Sequence, residues 1–142
     1  MATYIGSTLR TGSDTLTDSV DGGYVVVSQS NTIAQNSTSA VSTTFTLPAS
    51  SQIINVFIDV LTAFNSATSA TLTIGTAAAG TQYVSGVDAK TAGRAAPTLT
   101  ATQLSNMASI GTNTSVVATV TPVGATSAGS VRVTVVYAQK AS

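Results

Sequence analysis

The sequence contains no His, Cys, Trp or Glu among its 142 residues, and Asp, Lys and Arg together make up only 7%. Ordinary soluble domains carry about a quarter charged residues. Each absence excludes something. His, Cys and Glu are the usual sources of general bases, nucleophiles and metal ligands. Without His, a Ser nucleophile would need Lys90 or Lys140 as its base, and no segment carries a nucleophile elbow. Without Cys there is no disulfide, so stability rests on packing and sheet hydrogen bonds. That fits an intracellular origin and equally a particle released into an oxidising medium. Without Trp, only Tyr4, Tyr24, Tyr83 and Tyr137 can stack on a sugar. The sequence points away from enzymatic chemistry and calls for no cofactor and no metal.

What fills the chain is Ser, Thr, Ala, Val and Gly, the material of strands and tight turns. The hydrophobic fraction is 43% and the mean hydropathy is +0.36, ample for a core. A single domain of this size buries roughly 70% of its unfolded surface. The net charge is zero but unevenly spread: up to Asp88 there are five acids and one cation, and beyond it four cations and no acid. A charge-poor surface favours association over colloidal repulsion. Four cations without interleaved aromatics are too few for a nucleic-acid footprint. The first ten residues lack the basic start and apolar run of a signal peptide. The apolar stretch from Ile53 to Phe64 is too short and too interrupted to span a bilayer. The expectation is a soluble protein made in the cytoplasm, with no nucleic-acid or membrane partner.

Residues 1–23 read as an extended arm, rich in Thr, Ser, Gly and Asp, with isolated apolar anchors at Tyr4, Ile5, Leu9 and Leu16. Gly22-Gly23 then opens a domain over 24–142, beginning with a short strand at Tyr24–Val27. Ser28–Ala40 reads as a loop or weak edge strand. Val41–Leu47 alternates, with Val41, Thr43, Phe45 and Leu47 on one face. The strongest strand is 52–64. Its even positions Ile54, Val56, Ile58 and Val60 are assigned to the core, and its odd positions Ile53, Asn55, Phe57, Asp59 and Leu61 to a second, less uniform face. Ala70–Gly75 alternates with Leu72 and Ile74 inward. A low-complexity connection to Pro97 follows, with a short strand at Gln82–Val84. One helix is expected within Thr100–Met107, pairing Leu104 with Met107. Ser115–Thr121 and Ser130–Ala138 close the chain as a pair about the turn 122–129. Six to eight short strands and almost no helix read as an all-β, single antiparallel sandwich, with a jelly roll as the natural eight-strand version.

Several motifs dissolve on inspection. Gly124 and Gly129 have phosphate-loop spacing, but Ser130-Val131 and a strand follow instead of Lys and a helix. Asp14, Asp18 and Asp21 form a loose acidic cluster without EF-hand spacing, and read as solvated turn carboxylates. Asn36-Ser-Thr and Asn113-Thr-Ser match glycosylation sequons that a Ser/Thr-rich chain produces by chance. Asp59 stands apart, because an unpaired carboxylate on an apolar strand is costly. It either pairs with Arg132 of the last strand, in this or a neighbouring subunit, or lies in solvent.

The runs Ala70-Thr-Leu-Thr-Ile-Gly-Thr-Ala-Ala-Ala-Gly80, Tyr83-Val-Ser-Gly-Val-Asp-Ala-Lys-Thr-Ala-Gly93 and Gly129-Ser-Val-Arg-Val-Thr-Val-Val-Tyr-Ala-Gln139 resemble small β-rich virion proteins of tailed bacteriophages. The likeness is greatest to head decoration, or cement, proteins, and it spans about residues 70–139. It implies a sandwich, often jelly-roll-like, that assembles as a homotrimer on the capsid exterior and bridges subunits of the major capsid protein. It assigns no role to any single residue. On the chain's own pattern, Ile53, Phe57, Asp59, Leu61 and Arg132 are the expected subunit contacts, and Tyr4, Ile5 and Leu9 the expected docking anchors of the arm. A phage tail or head-fibre component needs the same composition. From another class, a carbohydrate- or receptor-binding sandwich remains open, weakened by the missing Trp.

Overall fold

The alternating β-branched pattern becomes eight strands and one short helix in the computed structural model, which describes residues 24–140. The arm anchors Tyr4, Ile5 and Leu9 and the acids Asp14, Asp18 and Asp21 lie outside the described residues. The strands are β1 (Tyr24–Ala34), β2 (Val41–Thr46), β3 (Gln52–Thr62), β4 (Ser69–Gly75), β5 (Val84–Asp88), β6 (Gly93–Ala95), β7 (Ser115–Val123) and β8 (Ser130–Lys140), with helix α1 (Ala101–Ala108) between β6 and β7. They form two four-stranded sheets of order β1-β8-β3-β6 and β2-β7-β4-β5. All pairings are antiparallel. The fold is an all-β sandwich.

Inward residues of both sheets meet in one core. Val131, Val133 and Val135 of β8 face Phe45, Leu72, Ile74, Val116 and Val120 of the second sheet, all essentially without solvent contact. In β8 the alternation runs as the pattern requires, with Arg132 exposed between buried valines. Pleating forces this, since successive side chains leave opposite faces. Each large aliphatic side chain fully buried here contributes about 1.5–3 kcal/mol.

β3 departs from simple alternation. Val56, Ile58 and Val60 are buried as expected, but Ile54 is exposed and Ile53 is in the core. The cause is a register shift against β8: Ile53 faces Tyr137 and Asn55 faces the adjacent Val136, leaving Ile54 as the extra residue. A bulge of this kind switches which parity points inward. A second shift lies between Val60 and Thr62, where Leu61 is exposed on the outer, odd-numbered face.

Three other expectations need correction. The strands β7 and β8 are not a hairpin pair, since they lie in different sheets. The segment between them crosses the sandwich and is held by the β3–β4 connection. Asn65 N–H donates to the Ala128 carbonyl and Ala67 N–H to that of Ala125, at 3.1 and 3.0 Å. The Asn65 Oδ1 accepts from the Ser127 and Ala128 amides. Second, β1 runs through Ala34, well beyond Val27, because hydroxyl and amide side chains suit an edge strand with an exposed face. Third, α1 buries Gln103 and Met107, whereas Leu104 is exposed. A capping box sets that orientation. Thr100 Oγ1 accepts from the Gln103 amide at 3.2 Å, and Gln103 Oε1 accepts from the Thr100 amide at 2.9 Å. The Gln103 Nε2 then donates inward to the Thr81 carbonyl and to Ser85 Oγ.

Candidate functional site, an acid held between two arginines

The outer face of the first sheet carries the feature that composition makes conspicuous. Strand register places Asp59 of β3 directly opposite Arg132 of β8 on one side and Arg94 of β6 on the other. Three of the few charges in the chain thus form one row across three strands. Arg94 donates through Nε to Asp59 Oδ1 at 2.6 Å and through Nη2 to Oδ2 at 3.1 Å. Arg132 Nη2 donates to Oδ2 at 2.8 Å. The Arg94 contact is bidentate, the geometry in which a planar guanidinium binds carboxylate most strongly.

The acid is covered by its partners. Its side chain is 11% exposed, against 62% for Arg94 and 47% for Arg132. The hydrogen bond from Arg94 is the largest influence on the Asp59 carboxyl, followed by that from Arg132. Together they outweigh desolvation and hold it far below the usual carboxylate range. The Asp59 carboxylate in turn raises the Arg94 guanidinium above its ordinary value. With two cations on one anion the row keeps a net positive charge. Arg94 also lies over the Phe57 ring, 4.8 Å from its centroid, a cation–π contact that fixes its stem.

Apolar residues surround this row. Val26 of β1 and the bulged Ile54 and Leu61 of β3 are exposed, and Phe57 and Val136 are half-buried. Two shallow grooves flank the segment from Gly93 onward. One of about 250 Å³ is lined by Asn55, Phe57, Arg94, Pro97 and Leu99. The other, of about 350 Å³, runs past Asp88, Thr91 and Arg94. The Asp88 carboxylate is committed to its own turn, accepting from the Lys90 amide and Thr91 Oγ1. Among the described residues no cluster of three acidic, His or Cys side chains gathers to hold a metal.

Of the residues singled out in the sequence, Asp59 and Arg132 meet, Phe57 sits two positions along the same face, and Leu61 is exposed nearby. Ile53 is turned into the core by the bulge and presents no surface. Arg94 was not foreseen, because its strand is only three residues long and sits in an Ala/Gly-rich connection. The available signal was electrostatic: an acid inside an apolar strand demands a partner, and Arg94 is one of four cations beyond it.

The two-sheet fold matches a known architecture. The chain is similar to a chain of the cyanophage Pam1 capsid asymmetric unit. The two share 26% identity with a TM-score of 0.58, over 82% of this chain and 84% of that one. The likeness therefore concerns the sandwich as a whole, not one hairpin. No family model and no curated protein matches the chain.

Proposed function

We propose that this chain is a structural protein of a phage virion that associates with capsid subunits, with no catalytic role. The observation that carries the reading is the similarity to a chain of the Pam1 capsid asymmetric unit across most of both chains. The strand order supports it: facing sheets 1-8-3-6 and 2-7-4-5, with β4–β5 the one connection that stays within a sheet, fit the eight-strand jelly roll common in capsid proteins.

More narrowly, the protein decorates the capsid exterior and cements it by bridging major capsid subunits. Its work is surface burial across joints. An interface of standard size buries on the order of 1,600 Å², and a homotrimer multiplies such contacts by avidity. The outer face around Phe57, Leu61 and the Asp59–Arg132 pair supplies the contact between subunits. The arm, through Tyr4, Ile5 and Leu9, reaches toward the shell. An apolar face with a few fixed ions suits a contact whose charges set specificity and register.

Locating the chain in a cryo-EM map of native particles tests this directly. Density for the sandwich on the outer capsid surface is expected, at sites between capsid subunits. Density confined to the tail, or none, overturns the decorating role. In solution, light scattering should return a multiple of 14.1 kDa, with a trimer expected. Removing residues 2–20 should leave the sandwich folded and weaken co-sedimentation with particles.

A further inference from the structure

Four of the six large apolar side chains exposed among the described residues belong to the first sheet: Tyr24 and Val26 of β1, and Ile54 and Leu61 of β3. In β1 the buried Ile33 faces the buried Val131 of β8. Its even residues Tyr24 and Val26 therefore turn to the outer side, where Arg94, Asp59 and Arg132 lie. Apolar side chains gathered on one face, rimmed by charge, mark a contact with another protein.

The uncompensated charge on this face has one sign. Arg94 uses two N–H donors on Asp59, and Arg132 uses one. A guanidinium carries five, so three and four remain without an acceptor among the described residues. Both groups face solvent, and the Phe57 ring holds Arg94 in place. Donors fixed in advance lose little freedom when an acceptor arrives. Asp59 shows which acceptor suits them, a carboxylate, and the row stays positive with that one bound. Apolar seats flank the row on both sides. Beside Arg94 runs the groove of about 250 Å³ lined by Phe57, Pro97 and Leu99, and Leu61 stands two positions beyond Asp59 on β3.

The sandwich holds no free acid to offer a second copy of itself. Residues 24–140 contain two acids and four cations. Asp59 is enclosed by its arginines, and Asp88 accepts from the Lys90 amide and Thr91 Oγ1 of its own turn. Two such faces brought together would set arginine against arginine, a juxtaposition that costs binding energy.

We infer that the Arg94–Asp59–Arg132 row receives a carboxylate from an acidic segment of a different protein chain, with an apolar neighbour of that carboxylate seated in the Phe57–Pro97–Leu99 groove. Asp59 is then a positioning residue, aligning two guanidiniums for a second acid. The inference rests on the virion reading only in naming the partner: the segment belongs to a capsid subunit. An arginine backed by an aromatic ring is the kind of residue on which such contacts concentrate their energy.

Two probes test it on the full chain. The first is a blocked pentapeptide, acetyl-Ser-Leu-Asp-Val-Ser-amide, followed through the arginine Nε–H resonances of labelled protein. It is titrated to about 10 mM, because a single exposed ion pair binds weakly. The Arg94 and Arg132 signals should shift saturably, and the same peptide with Asn for Asp should leave them in place. No shift at either arginine, or equal shifts from both peptides, overturns the proposal. Tighter binding of a DNA oligonucleotide at the same two arginines overturns it in favour of nucleic acid. Arginine signals that already move when residues 2–20 are removed would put the chain's own terminus on the row, and overturn the assignment to another chain.

The second probe is co-sedimentation with capsid shells stripped of this chain. Arg132→Gln leaves the Arg94 fork on Asp59, so the variant should fold. It should bind shells at least about tenfold more weakly, with a flatter dependence on salt. Arg132→Lys, which keeps the charge, should recover part of the loss. Equal binding by Arg132→Gln at every salt concentration sinks the carboxylate site and leaves the virion reading standing. A native chain that takes the peptide and ignores shells does the reverse. Self-association that Arg132→Gln abolishes in light scattering would place a second copy on this face, and overturn the proposal.

Discussion

Arg94 grips Asp59 with two hydrogen bonds while its guanidinium lies 4.8 Å from the centre of the Phe57 ring. One side chain therefore ties the shortest strand of the sandwich to one of the longest. β6 contributes only three residues of ladder, Gly93 to Ala95, against Ile58, Asp59 and Val60. Backbone pairing that short is weak, and the ion pair and ring contact hold it in register.

Asp59→Asn should destabilise the fold by about 1.5–3 kcal/mol, the usual worth of hydrogen bonds to a charged group. Arg132→Gln should cost less than Asp59→Asn, because the Arg94 fork remains on the acid. The double variant Asp59→Asn/Arg132→Gln should cost less than the sum, with a coupling of about 0.5–3 kcal/mol. Urea unfolding of the four proteins measures it. Strict additivity would mean that the two side chains act independently in solution.

The pH dependence follows from the direction of the Asp59 shift. Its folded carboxyl is held well below the ordinary value of about 3.9 by Arg94 and Arg132. The stabilisation is thus complete above the unfolded value and is lost as pH falls through the folded one. The stability gap between the native chain and Asp59→Asn should be constant near neutrality and shrink below about pH 4. Unfolding midpoints across that range read it out, and a gap that persists undiminished in acid would contradict the ion-pair account.

Gly129 sits where the crossover enters β8, against the ring of the buried Phe64. A Cβ at this position would stand 2.4 Å from ring carbons Cγ and Cδ2. Gly129→Ala should cost about 1–3 kcal/mol through overpacking. Shrinking the ring in the same protein, Gly129→Ala/Phe64→Leu, should recover part of that loss. Thermal melts compare the three.

Thr100→Ala removes the side chain that caps α1 and should cost about 1 kcal/mol. Thr100→Ser should restore most of it, since the hydroxyl that accepts from the Gln103 amide is kept. Helical circular dichroism is a poor gauge for eight residues in a β protein. Chemical denaturation is the better measurement.

Much of the sandwich was legible because β8, β2 and β4 alternate in strict period two, and one buried face enforces that period. The 52–64 segment also announced itself as a strand, yet its two faces were crossed near Ile53 and Ile54. A bulge costs one residue of register and leaves no mark in composition, so alternation alone cannot locate it. The pairing of β7 with β2 and β4 was equally invisible, because a turn-rich stretch such as 122–129 serves a hairpin or a crossover equally well. The site was half legible. Asp59 was conspicuous as a charge within an apolar run, and Arg132 alternated onto the correct face. Arg94 depended on a three-residue strand that no period can reveal.

The strand order also dictates when the protein can come into being. The first described strand, β1, and β3 are both neighbours of β8 and not of each other. Until Ser130–Lys140 has left the ribosome, the first sheet lacks its second strand, and β1 and β3 wait with open edges. More than a hundred residues separate Tyr24 from its partner Lys140, so closing that sheet is a slow, non-local event. Nascent chains stalled or cleaved before β8 would expose two aggregation-prone strands. Translation of the last eleven-residue strand is thus the moment at which open edges give way to a closed sheet.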